Sequence, residues 1–221
     1  MHIPDGYLGP KTFLTLYGIA VSVWVYMFGK IKEKIQDVQL PLISIGGAFS
    51  FIIMMLNFPV AGGSSMHVIG AGLLTMVIGP FATILALSVC LIIQAFLFAD
   101  GGITALGANC VNIAIVYPLT TFYVWKLLKN ITWLKKYGSI AIAVYSGVVL
   151  SALLAGVELG MQPLLEVTTN GNPLYCPYPL RITIPAMLIS HMIFAGPIEV
   201  LITLLSIKFL IKSEIIKGLY E

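Results

Sequence analysis

The chain has 221 residues, of which 59% are hydrophobic and only 10% are charged. A soluble domain is typically about one quarter charged, so this composition excludes an ordinary soluble domain and indicates a polytopic membrane protein. The formal net charge of +3 comes from basic residues spread along the chain, which gives no support to nucleic-acid binding. The three cysteines form no CxxC pair, so neither a disulfide framework nor a zinc knuckle is indicated.

Apolar runs follow one another along the chain, separated by breaks rich in Gly, Pro and Asn. A membrane helix needs roughly 20 apolar residues to cross about 30 Å of hydrocarbon. We therefore predict an all-α bundle of about seven transmembrane helices, forming a single integral-membrane domain over residues 1–221. The runs are Thr12–Phe28, Leu40–Phe58, His67–Ile78, Phe81–Phe98, Thr104–Leu128, Ser139–Val157 and Ile182–Ile211.

The third and fourth runs are separated only by Gly79-Pro80. Fused into one helix, residues 67–98 would be about 48 Å long, well over the bilayer core. Splitting them with the N-terminus outside puts ten of the 12 basic residues on the cytoplasmic side, and only Lys11 and Arg181 outside. The ten are Lys30, Lys32, Lys34, Lys126, Lys129, Lys135, Lys136, Lys208, Lys212 and Lys217. The positive-inside rule thus favours seven spans, with the C-terminus in the cytoplasm.

Polar side chains gather at the predicted outer ends of these helices. They are Asn57, Ser64, Ser65, His67, Gln94, Asn109, Asn112 and Glu158. Polar groups inside a membrane are costly, so their position points to function. Any single amide is equally well explained by a hydrogen bond between helices. Their joint position favours a binding cavity that opens outward.

The first two residues carry the sharpest chemical signal. Met1-His2 offers three nitrogens in succession: the α-amine, the His2 backbone nitrogen and the His2 imidazole Nδ1. Bound to one metal ion, they close a five-membered and then a six-membered chelate ring. His67, predicted at the outer lip of the third span, is the natural fourth nitrogen. We therefore predict that residues 1–11 form a metal-chelating segment, with Met1, His2 and His67 as ligands.

Square-planar nitrogen coordination is typical of Ni(II) or Cu(II). The backbone nitrogen binds only after metal binding drives off its proton, which disfavours zinc. The amine must also be free and Met1 retained. Taken alone, His2 is better explained as an accidental interfacial residue, but the turn residues Pro4-Asp5-Gly6 favour the chelate because they can fold the terminus over the bundle.

Two further polar residues lie deeper, in the seventh span. We interpret His191, about 15 Å into that span by helical rise, as a packed or network residue of the pocket rather than a metal ligand. Glu199 is either a coupling residue or a satisfied interhelical hydrogen-bonding group.

Three stretches of the sequence resemble the CbiM/NikM family. They are Met1–Leu8 (MHIPDGYL), Asn57–Val60 (NFPV) with Gly63–His67 (GSSMH), and Gly101–Asn109 (GGITALGAN). These proteins are the substrate-binding S components of energy-coupling-factor transporters for cobalt and nickel. The likeness is close over roughly the first half of the chain and general over the rest.

The resemblance implies a seven-helix S component whose N-terminal loop inserts into the bundle of a prokaryotic cytoplasmic membrane. Its transported substrate would be Ni²⁺ or Co²⁺, held by the Met1 amine, the two His2 nitrogens and His67. The implied partners are a transmembrane coupling (T) protein, a pair of cytoplasmic ATPases and a small accessory membrane subunit. The sequence has no GxxxxGK[ST] phosphate loop, so we expect ATP hydrolysis to come from the partners.

Two other classes of protein fit the sequence less well. An intramembrane metalloprotease would need HExxH or a paired Asp/His set within the membrane, and neither motif occurs. A proton-coupled secondary transporter of a divalent metal is the closer alternative, with His191 and Glu199 as the proton relay. Metal flux catalysed by the chain alone in vesicles would favour that alternative.

Overall fold

The computed structural model describes residues 1–34, 40–60 and 64–212, which are mostly helical. The elements in chain order are α1 (Pro10–Lys34), α2 (Leu40–Met54), β1 (Asn57–Val60), β2 (Ser64–His67), α3 (Ala71–Ile93), α4 (Leu106–Asn109), α5 (Tyr117–Leu128), α6 (Lys135–Gly160), α7 (Gln162–Leu165), α8 (Leu180–Ser190) and α9 (Gly196–Lys212). Short π-helical segments, Gln94–Phe98, Cys110–Val116 and His191–Ala195, extend α3, join α4 to α5 and join α8 to α9.

A two-stranded β-hairpin interrupts the helices, so the prediction of an all-α fold is wrong at this point. β1 and β2 pair antiparallel, with Asn57 opposite His67 and Val60 opposite Ser64. The second helix ends at Met54 rather than Phe58, and the third begins at Ala71 rather than His67. Pro59 has no backbone N–H and fits badly in a helix interior, whereas strand pairing satisfies its neighbours' polar groups.

Among the described residues, four continuous helical segments are long and apolar enough to cross a membrane: Ala71–Phe98, Leu106–Leu128, Lys136–Leu165 and Leu180–Lys212. The helix Leu40–Met54 is apolar but shorter. Large apolar side chains are exposed on the outer surface. The exposed fraction is 74% for Leu97, 77% for Leu127 and 68% for Phe209. An apolar surface of this extent suits lipid rather than water, as expected of a membrane protein.

Helix α3 is sharply bent. Gly79 has φ 81° and ψ 167°, outside the helical region and in a conformation that glycine adopts most easily. A straight helix over Ala71–Phe98 would be about 42 Å long, yet the residues just beyond its two ends, His67 and Asp100, both contact His2. The chain therefore bends back at Gly79, as the predicted break at Gly79-Pro80 requires.

The two arms of this bent helix pack on α2. Leu74 from the first arm and Ala86 from the second lie in one apolar cluster with Ile43 of α2. The first arm, Ala71–Ile78, is only about 12 Å long. The non-helical residues 68–70 precede it and add to the length of chain that runs from the hairpin to the bend at Gly79.

The N-terminal segment is enclosed by the bundle rather than lying on its surface. Met1 and Ile3 are fully buried, and His2 is 3% exposed. Met1, Ile3 and Leu8 belong to the main apolar core, together with residues of α3 to α6. Burial of these side chains stabilises the enclosed position by about 1.5–3 kcal/mol each. The core of the fold therefore also forms the wall around the first two residues.

Candidate metal centre

Asn109 holds the backbone of the N-terminal segment. The N–H of Ile3 donates to Asn109 Oδ1 (2.8 Å), and Asn109 Nδ2 donates to the Ile3 carbonyl (3.1 Å). The Gly102 N–H donates to the same carbonyl at 2.9 Å. The amide side chain thus pairs with Ile3 as a neighbouring strand would, which fixes the backbone one residue after His2.

Asp5 fastens the segment to the loop after α3. Its Oδ1 accepts from the Thr104 N–H (2.7 Å) and hydroxyl (2.5 Å), and its Oδ2 accepts from the Ile103 N–H (3.1 Å). Burial acts to raise the pKa of Asp5, but these hydrogen bonds outweigh it and lower the pKa overall. The loop can come this close because Gly102 has no side chain: a Cβ there would lie 2.7 Å from the Pro4 carbonyl carbon.

The three residues predicted as ligands lie together. The ring centroids of His2 and His67 are 4.4 Å apart, with the planes tilted by 31°. The Met1 amine donates to the backbone carbonyl of Ser65, two residues before His67. His67 is 2% exposed, so the donor groups face one another in a buried position. The amine, the His2 backbone nitrogen and two imidazoles are thereby brought to one place.

His67 enters the site from the β-hairpin. Its backbone pairs with Asn57 across the hairpin, which directs the side chain from a strand rather than from a helix. Neither ring nitrogen of His67 has a well-aligned hydrogen bond to any residue in the described part of the chain, and the backbone of Val68 is the polar group that influences the ring from nearby. A buried polar group without a partner costs roughly 1–3 kcal/mol, so such groups call for an explanation. Coordination of a metal ion by a ring nitrogen would explain the buried imidazole of His67.

The electrostatics of the enclosure leave the nitrogen donors neutral. Burial lowers the pKa of the Met1 amine from 8.0 to about 4. Burial is also the largest cause that lowers the pKa of His2 and brings the pKa of His67 well below its ordinary value. At neutral pH each group therefore has a lone pair for a metal rather than a bound proton.

The His2 ring is turned differently from what the predicted chelate requires. Its Nδ1 donates to Asp100 Oδ1 at 3.1 Å, whereas the six-membered chelate ring needs Nδ1 on the metal. Rotation of the imidazole by a half turn about Cβ–Cγ exchanges Nδ1 with Cδ2 and frees Nδ1. The structure thus has a hydrogen-bonded ring orientation, and chelation requires the opposite one.

Asp100 is the functional residue that sequence reasoning missed. It contacts His2 and also accepts a hydrogen bond from Asn57 Nδ2 at 3.1 Å. Burial is the largest single influence and acts to raise the pKa of Asp100, but the hydrogen bonds from His2 and Asn57 and the electrostatic attraction of His2 and the terminal amine together lower it overall. A signal was present in the sequence: an acidic residue directly before Gly101-Gly102, at the same end of the bundle as the terminus.

The remaining predicted pocket residues divide into two groups. In the first group, Asn57 donates to Asp100 and Asn109 accepts from the Ile3 N–H. The Ser65 carbonyl accepts from the Met1 amine. Asn112 points away, donating to Glu158 at 2.7 Å.

Two other pocket candidates have no hydrogen bond to a predicted ligand among the described residues. The Gln94 side-chain amide is buried without a hydrogen bond to any described residue, although the Gln94 carbonyl accepts from the Asp100 N–H at 3.1 Å. The His191 Nδ1 hydrogen-bonds the Met187 carbonyl at 2.7 Å, and the ring is near enough to His67 to influence it electrostatically. The side chain of Ser64 lies outside the described residues.

The donor set is unusual because two of its four nitrogens belong to the main chain. Within the described ranges, no group of three or more His, Cys, Asp or Glu side chains has the geometry to hold a metal ion. The candidate centre instead combines two imidazoles with the terminal amine and a backbone nitrogen. Such a centre depends on the position of residue 1 itself.

Comparison with known families identifies the family of the whole chain. Residues 2–215 match the family model CbiM, the cobalt uptake substrate-specific transmembrane region. The chain belongs to the CbiM family. The match covers nearly the whole sequence, so it includes the helices as well as the terminal segment.

Individual relatives of this CbiM-family chain are transport proteins by name. It is 45% identical over its full length to the probable fused nickel transport protein LarMN of Lactiplantibacillus plantarum. It is 42% identical over 92% of its length to the fused nickel transport protein NikMN of Rhodobacter capsulatus. The chain spans 67% of the first relative and 59% of the second.

The fold of this family member also matches a solved structure. A crystal structure of a truncated transition metal transporter superposes with a TM-score of 0.93 at 43% sequence identity. The match covers 96% of this chain and 99% of that one. The overall architecture is therefore shared with a transition metal transporter.

Proposed function

We propose that this chain is the substrate-binding membrane subunit of an uptake transporter for Ni²⁺, Co²⁺ or both. The ion is captured by four nitrogens: the Met1 amine, the His2 backbone nitrogen, His2 Nδ1 and one ring nitrogen of His67. The observation that carries this proposal is the burial of an uncharged Met1 amine beside the His2–His67 pair. The named relatives, which are nickel transport proteins, support the choice of ion.

The chemistry selects the ion through the backbone nitrogen. A chelate of five- and six-membered rings in one plane requires the His2 N–H to lose its proton to solvent as the metal binds. Ni(II) stabilises such a deprotonated amide in a square-planar field, and Zn(II) does so poorly. Geometry rather than raw affinity then excludes zinc.

Charge balance gives Asp100 a role in the loaded site. A divalent ion, one deprotonated amide and one carboxylate sum to zero, whereas the three other nitrogens are neutral. A neutral assembly is favoured because an uncompensated charge is costly to bury. With Nδ1 on the ion, the N–H left on the His2 ring is at Nε2, where a carboxylate can orient the ligand.

The same proposal includes a topology and partners. We infer seven spans with the terminus and the metal centre on the outer side, supported by the bend at Gly79 and by the ten-to-two distribution of basic residues. A transmembrane coupling protein and a cytoplasmic ATPase pair would supply the energy for release. The greater length of the relatives named as fused proteins supports an accessory membrane subunit as well.

The proton-coupled alternative would use Glu199 as an open relay group. That carboxylate is buried, and its Oε1 accepts hydrogen bonds from two backbone N–H groups. This arrangement favours a structural task for Glu199 over proton exchange.

The decisive experiment changes only the first residue. The protein is released from a cleavable fusion either with Met1 as its first residue or with one glycine before it. Nickel binding is measured by calorimetry, together with the visible band of square-planar nickel. We expect the added glycine to reduce affinity by about a hundredfold or more and to abolish the band, because the amine leaves its position. Equal affinity and an equal band in both forms would reject the terminal chelate.

A further inference from the structure

The segment that carries His67 is fixed on both sides. On the N-terminal side, the β-hairpin pairs His67 with Asn57. On the C-terminal side, the N–H groups of Ile69 and Gly70 both donate to Glu199 Oε1, the second at 2.9 Å. Glu199 is 1% exposed and lies in the first turn of α9. A carboxylate from the last helix therefore contacts the chain two and three residues beyond a proposed ligand.

The need for this carboxylate follows from the start of α3. The first N–H groups of a helix have no partner within the helix and must be satisfied from outside. Gly70 caps the N-terminus of α3 with φ 77°. Because glycine has no side chain, the cap residue provides no side-chain acceptor at this helix end. Glu199 accepts from the N–H of Gly70, the cap residue of α3, and from the N–H of Ile69 just before it, and a negative charge is favourable at a helix N-terminus.

His67 depends on its backbone more than a typical metal ligand does. Metal-binding histidines are commonly oriented by a hydrogen bond to the second ring nitrogen. Within the described residues, no side chain hydrogen-bonds a ring nitrogen of His67, and the polar group near the ring is the backbone of Val68 in the same segment. The position of the imidazole therefore depends on the backbone of this segment, which the hairpin and Glu199 hold.

We propose that Glu199 is a positioning residue for metal capture, which holds Ile69 and Gly70 so that the His67 imidazole reaches the ion. This inference rests on the proposed function. It also links the metal centre to α9, since a shift of that helix carries the His67 segment with it. α9 extends from Glu199 toward Lys208 and Lys212 at the basic end of the bundle.

A double-mutant cycle tests the proposal. Glu199→Met removes the acceptor at similar volume, and Glu199→Gln keeps an acceptor oxygen without the charge. Each is measured for nickel affinity in the wild-type background and in a His67→Ala background. Glu158→Met is the control, since Glu158 is a half-buried carboxylate of the bundle that accepts a hydrogen bond from Asn112 and not from the segment after His67. Thermal unfolding in detergent checks that each variant folds.

We expect Glu199→Met to lower nickel affinity about tenfold or more in the wild-type background and less than about twofold when His67 is absent. Glu199→Gln should recover most of the loss, and the control should change affinity little in either background. An equal loss in both backgrounds, or no loss, would overturn the positioning role.

Two further outcomes are kept separate. Failure of the wild-type protein to bind nickel would reject the proposed function itself, irrespective of Glu199. If Glu199→Met does not fold, Glu199→Asp withdraws the carboxylate by one methylene, and the same dependence on His67 is expected. A loss that persists without His67 in that variant would contradict the proposal.

Discussion

His2 and His67 lie with their rings 4.4 Å apart, although one comes from the second residue of the chain and the other from a β-hairpin between α2 and α3. His2 is held by the chain end and Asp100, and His67 by the hairpin and α9. A cation between the two rings would join these independent supports. Metal capture is therefore expected to fasten the terminus as well as to bind the ion.

His67→Ala should reduce nickel affinity by about a hundredfold or more, because one of four metal–nitrogen bonds is lost and the planar set is broken. His191→Ala is the matched control, since that imidazole is also buried but hydrogen-bonds the Met187 carbonyl. We expect the control to lose far less affinity. Competition with a chromophoric chelator measures both variants, and equal losses would place His191 among the ligands.

Asp100→Asn should lower nickel affinity by about tenfold, since an asparagine keeps a hydrogen-bonding oxygen but leaves the loaded site with a positive charge. Asp100→Ala should be only slightly weaker again. Calorimetry at fixed pH gives both values. If asparagine restores full affinity, the contribution of Asp100 is hydrogen bonding and not charge.

Proton release on metal binding reports the state of the amine. The pKa of Met1 is lowered from 8.0 to about 4 by burial, so near neutral pH the folded protein has no amine proton to lose. Nickel binding should then release about one proton, from the His2 amide, and affinity should rise about tenfold per pH unit between pH 6 and 8. Below about pH 4 the amine gains a proton and binding should fall more steeply.

Calorimetry in buffers of different ionisation enthalpy counts these protons. Release of two protons at pH 7 would mean that the amine is charged before the metal arrives. The neutral, buried terminus would then be wrong for the metal-free protein in solution.

Gly102→Ala should displace the N-terminal segment, because the new methyl group would lie 2.7 Å from the Pro4 carbonyl carbon. We expect metal affinity to fall about tenfold or more while the helices remain folded. Gly18→Ala is the control, since a Cβ at Gly18 meets nothing within 4 Å. Nickel binding and circular dichroism are measured for both, and unchanged binding by Gly102→Ala would show that the loop can yield.

Predictions from the sequence agree best with the structure for features that depend on covalent order or on hydropathy. The membrane class and the principal helices follow from long apolar runs, which are local features. The break at Gly79-Pro80 follows from the conformational preferences of those two residues. The three nitrogens of Met1-His2 are neighbours along the chain, so their chelating capacity needs no fold.

Pairings between distant residues were less predictable. Residues three apart on a regular α-helix share one face, which would place Asn109 and Asn112 together. A π-helical segment begins at Cys110, however, and of these two residues Asn109 contacts Ile3 while Asn112 donates to Glu158. A wider helical turn changes the direction in which side chains three residues apart point. The hairpin at Asn57–His67 was also mistaken for helix ends, because its residues are apolar enough to continue a span.

The sequence by itself determined that this is a membrane protein whose first two residues can chelate a metal. Only the tertiary structure decided that the amine is buried and neutral, that Asp100 faces His2, and that Glu199 holds the segment beyond His67. The physical reason is that burial and long-range contacts arise from packing the whole bundle. Hydropathy and residue spacing describe each segment separately, so they contain no information on which ends meet.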